Sequence, residues 1–424
     1  MSGLALFGGT PVHRQAWPQW PQSTLTSERA LLTVMRSGRW SVSGLETDAS
    51  PTWDQRFAEA FAHYNGVRHC VPTANGTNAL MAAMQALGIG AGDEVIVPGL
   101  TWVACASAVL AINAVPVIVD IDPHSLCLDP HAVEAAISPR TRAIMVVHLY
   151  NAIADLDALL PMARRHGLHL IEDCAQAHGA QWRGRHVGTL GAVGTFSMQN
   201  GKVLTSGEGG ACICNDPDLA ARIFRLRADG RQRVTDAVPS GYMTLEEGGQ
   251  GFAQNACLSE LQAAILLSRL EDLDHENAQR ARQAQRLRQL LEEIGGFAFQ
   301  QTAEGTERAT LYHFPVRLEG PEFEGVAIAQ ACRALSAELG CWVHPPYPPM
   351  DRFAVLAPGH SQRLLTAPRV PQPLLCAQAA HRQHVMLAHW LFLADDQAMA
   401  HVAQAFAKVK EHAHELRARQ GEGQ

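Results

Sequence analysis

From residue 67 to about 215 the chain alternates two textures: short continuous apolar runs rich in valine and isoleucine, and longer stretches whose apolar positions recur with helical period. Apolar runs bounded by turn residues are strands buried on both faces, and the periodic stretches between them are the crossover helices that a parallel sheet requires. The pattern predicts strands near 69–73, 94–98, 115–119, 143–147, 168–172, 193–197 and 210–214. "NALMAAMQALGI", "WVACASAVLAINA" and "DALLPMARRHG" read as helices between them. "AGDEVIVPG" and "RRHGLHLIED" each run from helix stop through a turn into a buried strand. The texture changes after residues 255–296, a long charged stretch with helical periodicity. Beyond it, "TLYHFPVRLEG" and "CWVHPPYPP" read as strands, "GVAIAQACRALSAELG" as a helix and "ADDQAMAHVAQAFAKVKEHAH" as a closing amphipathic helix. The expected organisation is an N-terminal arm (1–30), a large α/β domain (31–270) around a mostly parallel seven-stranded sheet, a smaller α+β domain (271–415) and a flexible tail (416–424).

Composition removes several function classes. The 424 residues are 47% apolar and 18% charged, with a net charge of −7. Such a chain has no basic field for a phosphate backbone, and no Lys/Arg block interleaved with aromatics occurs, so nucleic acid is not expected as a partner. Long apolar runs such as 103–119 are broken by Ser, Asn and Pro, and the first residues lack a charged, cleavable leader. No membrane role is expected, and the expected location is the cytoplasm. The ten cysteines are scattered through apolar segments, which predicts reduced, buried thiols. Cys212 and Cys214 have strand spacing, and His381 and His384 would share a helix face with no third ligand at metal-site spacing, so no metal is expected. "AWPQWP" (16–21) reads as a Pro/Trp arm packed on the surface.

The strand ends carry the chemistry. "GTFSMQNGKV" is no P-loop, because six residues separate Gly194 from Gly201 and Val203 stands where a magnesium-binding hydroxyl is needed. No G-x-G-x-x-G follows the first strand, and "TSGEGG" is not a nucleophile elbow. "CVPTANGTNALMAA" runs from strand into helix through Gly76 and Thr77, whose free N–H groups and hydroxyl suit an anion; standing alone, it reads first as a plain N-cap. "HLIEDCAQAHGA" ends a buried strand with Glu172 and Asp173, where ligands bind in open α/β sheets, and one of the two should point into the site. Lys202, in "GKVLTSGEGG", follows Asp173 by 29 residues and has no cationic neighbour before Arg222. A phosphate cradle, a strand-end aspartate and an isolated lysine are the anchors that pyridoxal phosphate needs: the aspartate for its ring nitrogen, the lysine for a Schiff base. Trp102, just after "EVIVPGLT", is placed to cover the other ring face, although a Trp beside apolar helix residues is often core.

"SGRWSVSG", "NGTNALMAAMQALGIGAGDEVIVPGLTWVA", "VIVDIDPHSLCLDP", "IEDCAQAHGA", "FSMQNGKVLTSGEGGACICND" and "SELQAAILLSRLE" together resemble the DegT/DnrJ/EryC1/StrS family of pyridoxal-phosphate aminotransferases, over about residues 30 to 410. The resemblance implies the fold type I transferase architecture, a homodimer with shared active sites, and transfer of an amino group to a cyclic ketone. It assigns the Schiff-base lysine to Lys202, the pyridinium partner to Asp173 and the neighbour of the ring hydroxyl to Gln176. It further implies Gly76, Thr77 and Ser197 as the phosphate cradle, Trp102 as the stacking aromatic, and Asn255 as a phosphate contact made from the neighbouring subunit. "NACLS" puts Cys257 where the family commonly has an arginine. Related dehydratases carry a histidine in place of the lysine; this chain keeps the lysine, which favours transamination over dehydration or a non-catalytic binding role. "LALFGGTPVHRQAWPQWP", "HLYNAIADLD" and "HVMLAHWLFLADDQAM" resemble the subgroup acting on cyclitols and shikimate-like rings. That subgroup implies L-glutamine as donor and a ketocyclitol such as scyllo-inosose or 2-deoxy-scyllo-inosose as acceptor, in aminoglycoside formation. A nucleotide-linked ketosugar, or an aromatising synthase of 3-amino-5-hydroxybenzoate type, is the alternative.

Overall fold

Strands β1 (His69–Thr73), β2 (Glu94–Pro98), β3 (Val115–Val119), β4 (Thr141–Val147), β5 (His169–Asp173), β6 (Val193–Ser197) and β7 (Gly210–Cys214) form one sheet in the order β1-β7-β6-β5-β4-β2-β3. This is the seven-stranded, mostly parallel sheet of fold type I transferases. The computed structural model describes residues 3–43, 50–234, 238–249, 253–357 and 367–418. Every pairing is parallel except those of β7, which runs antiparallel to both β1 and β6. The carboxyl ends of β1, β5 and β6 therefore meet on one edge, where Gly210 opens β7 between Thr73 and Ser197. β2, β4 and β7 are almost wholly buried, as strands covered on both faces must be.

Helices α1 (Leu25–Ser37), α2 (Trp53–Asn65), α3 (Gly76–Ala86), α4 (Ala104–Ala111), α5 (Pro130–Ala136), α6 (Leu156–Arg165), α7 (Pro217–Arg227) and α8 (Glu260–Leu270) accompany this sheet. Their starts follow from local chemistry. Thr24, Thr52 and Ser259 each close a capping box on α1, α2 and α8, and Asp129 and Asp216 cap α5 and α7, both of which begin with proline. The charged stretch after residue 255 resolves into α8 and the 22-residue α9 (Leu273–Ile294).

A second apolar cluster is built from α9, α10 (Ile328–Leu339), α12 (Asp396–Glu411) and a small sheet of β8 (Phe297–Phe299), β9 (His313–Leu318) and β10 (His384–Ala388). Helix α11 (Leu375–Gln383) leads into β10 but buries Ala377 and Ala380 against the first cluster. The N-terminal arm belongs to the second cluster rather than lying on its surface. Leu4 is fully buried there, Glu338 accepts the N–H groups of Ala5 (2.7 Å) and Val12 (3.2 Å), and Lys408 Nζ bridges Glu338 (2.9 Å) and the Thr10 carbonyl (2.8 Å). Two buried charges are compensated by each other and by the arm's own backbone, which ties the arm down.

Three local expectations change. "CWVHPPYPP" is not a strand: its prolines cannot donate to a ladder, and one bridge, His344 to Met386, is all that forms. His384 does not share a helix face with His381, because the helix stops at Gln383 and His384 opens β10, buried. Residues 416–418 complete a helix in which Leu416 is buried, while 419–424 of the expected tail lie outside the described residues. No described helix is long and apolar enough to cross a membrane.

Candidate active site

The carboxyl edge of the sheet opens into a cavity of about 740 Å³ whose wall includes Gly76, Thr77, Trp102, Asp173, Gln176, Ser197 and Lys202. Each residue that the family resemblance assigns to the site lines it except Asn255, which is exposed and outside this wall.

One wall is the start of α3. Asn75 Oδ1 caps it by accepting the N–H of Asn78 (2.8 Å), and the first-turn N–H groups of Gly76 and Thr77 have no intrahelical acceptor. With the helix dipole they form an anion site. Glycine is needed at 76, since a Cβ there would stand 2.7 Å from Ser197 Cβ. Gly210 is held by the same crowding, because its Cβ would lie 2.5 Å from the Asn75 carbonyl. Small residues thus bring the helix start against the ends of β6 and β7.

The acidic pair at the end of β5 divides by the alternation of a strand. Asp173 lines the cavity: Oδ1 accepts the Ala175 N–H (2.9 Å) and Oδ2 the Cys105 thiol (3.2 Å). Burial and the Asp173 charge push the Cys105 pKa well up, so it stays a thiol and donates. Glu172 faces away and accepts the N–H groups of Gly188 (2.8 Å), Leu190 (2.8 Å) and Gly191 (2.6 Å). Burial alone would push its pKa up, but His148 and these N–H groups hold it below the usual carboxylate range. His148 Nδ1 accepts from Ala154 N–H (3.2 Å), so Nε2 carries the proton donated to Glu172 (3.3 Å). His148, Glu172 and Cys174 gather within 4.8 Å, yet these hydrogen bonds already occupy the imidazole and the carboxylate. The cluster is a brace for the 188–191 loop.

Lys202 ends a turn fixed by its own N–H to the Gln199 carbonyl (2.8 Å) and by Gly201 N–H to Gln199 Oε1 (2.8 Å). Its side chain is 8% exposed, and Nζ lies 4.4 Å from the centroid of the Tyr312 ring. Among the described residues it makes no ion pair, although Glu208 lines the same cavity. A π face in place of a carboxylate keeps the amine available. Gln176 is held at both ends, Oε1 accepting Tyr150 N–H (2.9 Å) and Nε2 donating to the Tyr347 hydroxyl (3.4 Å). Trp102 stands before α4, 54% exposed at the cavity mouth, so it is a rim residue and not core.

The sequence reading missed the opposite wall: Tyr312, His313, Trp342, His344, Tyr347 and Trp390. The only signal was the density of aromatic and histidine residues in "TLYHFP" and "CWVHPPYPP", which were read for secondary structure alone. His344 Nδ1 donates to the Pro345 carbonyl (2.7 Å), so its Nε2 accepts from His313 Nε2 (3.3 Å). His313 Nδ1 is left as a buried acceptor without a partner. Burial holds both imidazoles below their ordinary pKa, that of His313 far below.

A profile of the DegT/DnrJ/EryC1/StrS aminotransferase family matches residues 24–406. The chain belongs to this family. It is an aminotransferase, an enzyme that moves an amino group from one carbon skeleton to another. It is 50% identical over 423 residues to the L-glutamine:2-deoxy-scyllo-inosose aminotransferase of Streptomyces lividus, covering 98% of this chain and 99% of that one. It is 48% identical over 422 residues to the L-glutamine:scyllo-inosose aminotransferase of Streptomyces griseus, again covering 98% and 99%. Among solved structures, 3-amino-5-hydroxybenzoic acid synthase superposes with a TM-score of 0.79 at 29% identity, covering 92% of this aminotransferase and 98% of that chain.

Proposed function

We propose that this aminotransferase binds pyridoxal 5'-phosphate in the cavity and transfers the amino group of L-glutamine to a ketocyclitol of the scyllo-inosose or 2-deoxy-scyllo-inosose type, a step of aminoglycoside formation. The observation that carries the reading is the convergence of the Lys202 amine, the Asp173 carboxylate and the first turn of α3 on one cavity. These residues fit the cofactor. The α3 cradle, whose space a Cβ at Gly76 would fill, suits a phosphate together with Thr77 and Ser197. Asp173, oriented by Ala175 and Cys105, suits a protonated ring nitrogen. Gln176 would stand beside the ring hydroxyl, and Trp102 over one ring face.

Pyridoxal phosphate, when bound, supplies an electron sink for the carbon that gains or loses nitrogen. Lys202 would carry a proton from the α-carbon of the donor to the cofactor in the first half of a ping-pong cycle, and from the cofactor to the acceptor carbon in the second. Its rest position over Tyr312 leaves the amine free of a competing carboxylate. The ketone's pocket, as we read it, is the missed wall. Neutral imidazoles and tyrosine hydroxyls suit the many hydroxyls of a cyclitol, and the Trp342 and Trp390 faces suit its C–H edges. Among the described lining residues Lys202 is the only Lys or Arg, so the wall offers nothing built for a nucleotide diphosphate.

We also infer that two copies share their sites. Asn255 is exposed, yet its backbone is pinned beside the phosphate side of the sheet by the Ala228 bridge and by Ala74 N–H to the Ala256 carbonyl (2.7 Å). Leu25, Leu32, Met35 and Trp40 leave apolar surface on and after α1, 71%, 48%, 52% and 52% exposed, which a partner would cover.

The test offers purified protein L-glutamine with scyllo-inosose, 2-deoxy-scyllo-inosose or a nucleotide-linked ketosugar, and follows amine product by mass. The free ketocyclitols are expected to outperform the nucleotide sugar. Product from the nucleotide sugar alone would overturn the substrate assignment.

A further inference from the structure

The arm segment "AWPQWP" has no part in the mechanism above, and His389 is a fully buried imidazole that no step uses. They meet. The Trp20 ring stands edge to face on His389, centroids 4.7 Å apart at 86°. Its face is covered by the guanidinium groups of Arg280 on α9 at 5.1 Å and Arg269 on α8 at 6.0 Å, so Trp20 is clamped between these two helices and the 3-10 turn His389–Leu393. His389 in turn reaches the site by two routes. Its Nε2 is 3.1 Å from the carbonyl of Gly201, the residue before the lysine, and because a carbonyl only accepts, Nε2 carries the proton. Its ring lies nearly parallel to Tyr312, 6.1 Å away at 26°, and Tyr312 is the ring on which Lys202 Nζ rests.

We propose that Trp20 and His389 form a positioning pair that holds the Gly201 carbonyl and the Tyr312 ring, so that the N-terminal arm sets where the Lys202 amine stands. Neither residue lines the cavity, and both act through others. On its near side the turn at 199–202 is fixed by the bonds of Gln199, whose own N–H reaches Ser197 Oγ (3.4 Å); the His389 N–H is its one tie to the second apolar cluster among the hydrogen bonds described. Without that tie, the lysine keeps its chemistry but samples more positions, and the fraction poised for attack falls.

The proposal rests on the pyridoxal phosphate reading, and the test separates the two. The full-length holoenzyme is prepared as its pyridoxal phosphate form, which bonds to the lysine, and as its pyridoxamine phosphate form, which cannot. Release of each cofactor is timed after dilution, in the parent, His389→Ala, His389→Gln, Trp20→Ala and Trp20→Phe. Loss of the hydrogen bond in His389→Ala should speed pyridoxal phosphate release about tenfold while pyridoxamine phosphate release stays within about twofold. Trp20→Ala should act in the same direction. His389→Gln, which keeps an N–H near the Nε2 position, and Trp20→Phe, which keeps a ring edge, should recover most of the difference. Equal changes for both cofactors would show a general loss of structure, and no change for either would show that the lysine is placed without the pair; both results overturn the proposal. Borohydride treatment of the parent comes first, and failure to fix cofactor on Lys202 sinks the cofactor reading itself.

Discussion

Asp173 and Glu172 are chemically alike and one bond apart in the chain, and side-chain alternation along β5 gives them opposite duties. Asp173→Asn should leave phosphate-anchored cofactor bound but slow turnover about 100- to 1,000-fold, because the charge aimed at the ring nitrogen is gone. Lys202→Ala should abolish turnover, and borohydride should fix the cofactor mass to the Lys202 peptide of the parent. Near-parental rates in Asp173→Asn, or label on the peptide of Lys408 or Lys410, would remove these assignments. At this scale, residues whose chemistry is rare in their surroundings were legible. A lone lysine in a Gly/Ser loop and a carboxylate pair ending an apolar strand stand out in one dimension. Tyr312, His313 and His344 did not, because nothing in the sequence says that 312–347 folds back over the sheet edge. Nor did the fully buried pair of Arg227 and Asp54 (2.8 Å), whose partners are 173 residues apart.

At the scale of elements, strands were the most legible part of the fold. A strand buried on both faces must be apolar throughout and must end where the chain turns, so β1 to β7 begin and end within a few residues of the apolar runs. The proline-rich 345–349 segment was misread because apolar content alone does not make a ladder; free N–H groups do. The α3 start shows how an element makes a site by approach. Gly76→Ala places a Cβ 2.7 Å from Ser197 Cβ, so α3 must back away from β6. Overpacking of this kind costs about 1–3 kcal/mol, and the cradle widens with it. The expected outcome is a lower urea midpoint and at least about tenfold weaker pyridoxal phosphate binding by absorbance titration. Adding Ser197→Gly, which removes the clashing atom, should restore the midpoint more than the affinity, because the hydroxyl is lost with it. Parental affinity in Gly76→Ala would show that the α3 start does not hold the phosphate.

Taken whole, the molecule buries a set of imidazoles that stay neutral when folded. Burial, with the Lys202 charge, pushes His178 down to about 3; burial lowers His384 to about 4 and puts His313 and His389 far below their ordinary value. Each is neutral when folded and protonates near pH 6.5 when unfolded, so the unfolded chain binds more protons below that pH. Their contribution is full above pH 6.5 and falls away as pH drops toward the folded values. Urea midpoints should therefore fall steadily from pH 6.5 to 5, before the carboxylates titrate; a flat profile would mean that these imidazoles reach water.

The shared site is also a property of the assembly, and it can be tested without seeing the interface. If Lys202 of one copy and Asn255 of the other serve the same cofactor, each single variant spoils every site of its own homodimer. Asn255→Asp does so by setting a negative charge against the phosphate. In a heterodimer of Lys202→Ala with Asn255→Asp, one site collects both changes and the other collects neither. Subunit exchange should then return activity, up to about half the parental value per heterodimer, with heterodimer formation confirmed by native mass measurement. If both residues belonged to one subunit's site, every site in that heterodimer would carry one lesion. A confirmed heterodimer without regained turnover, from two inactive parents, therefore excludes the shared site.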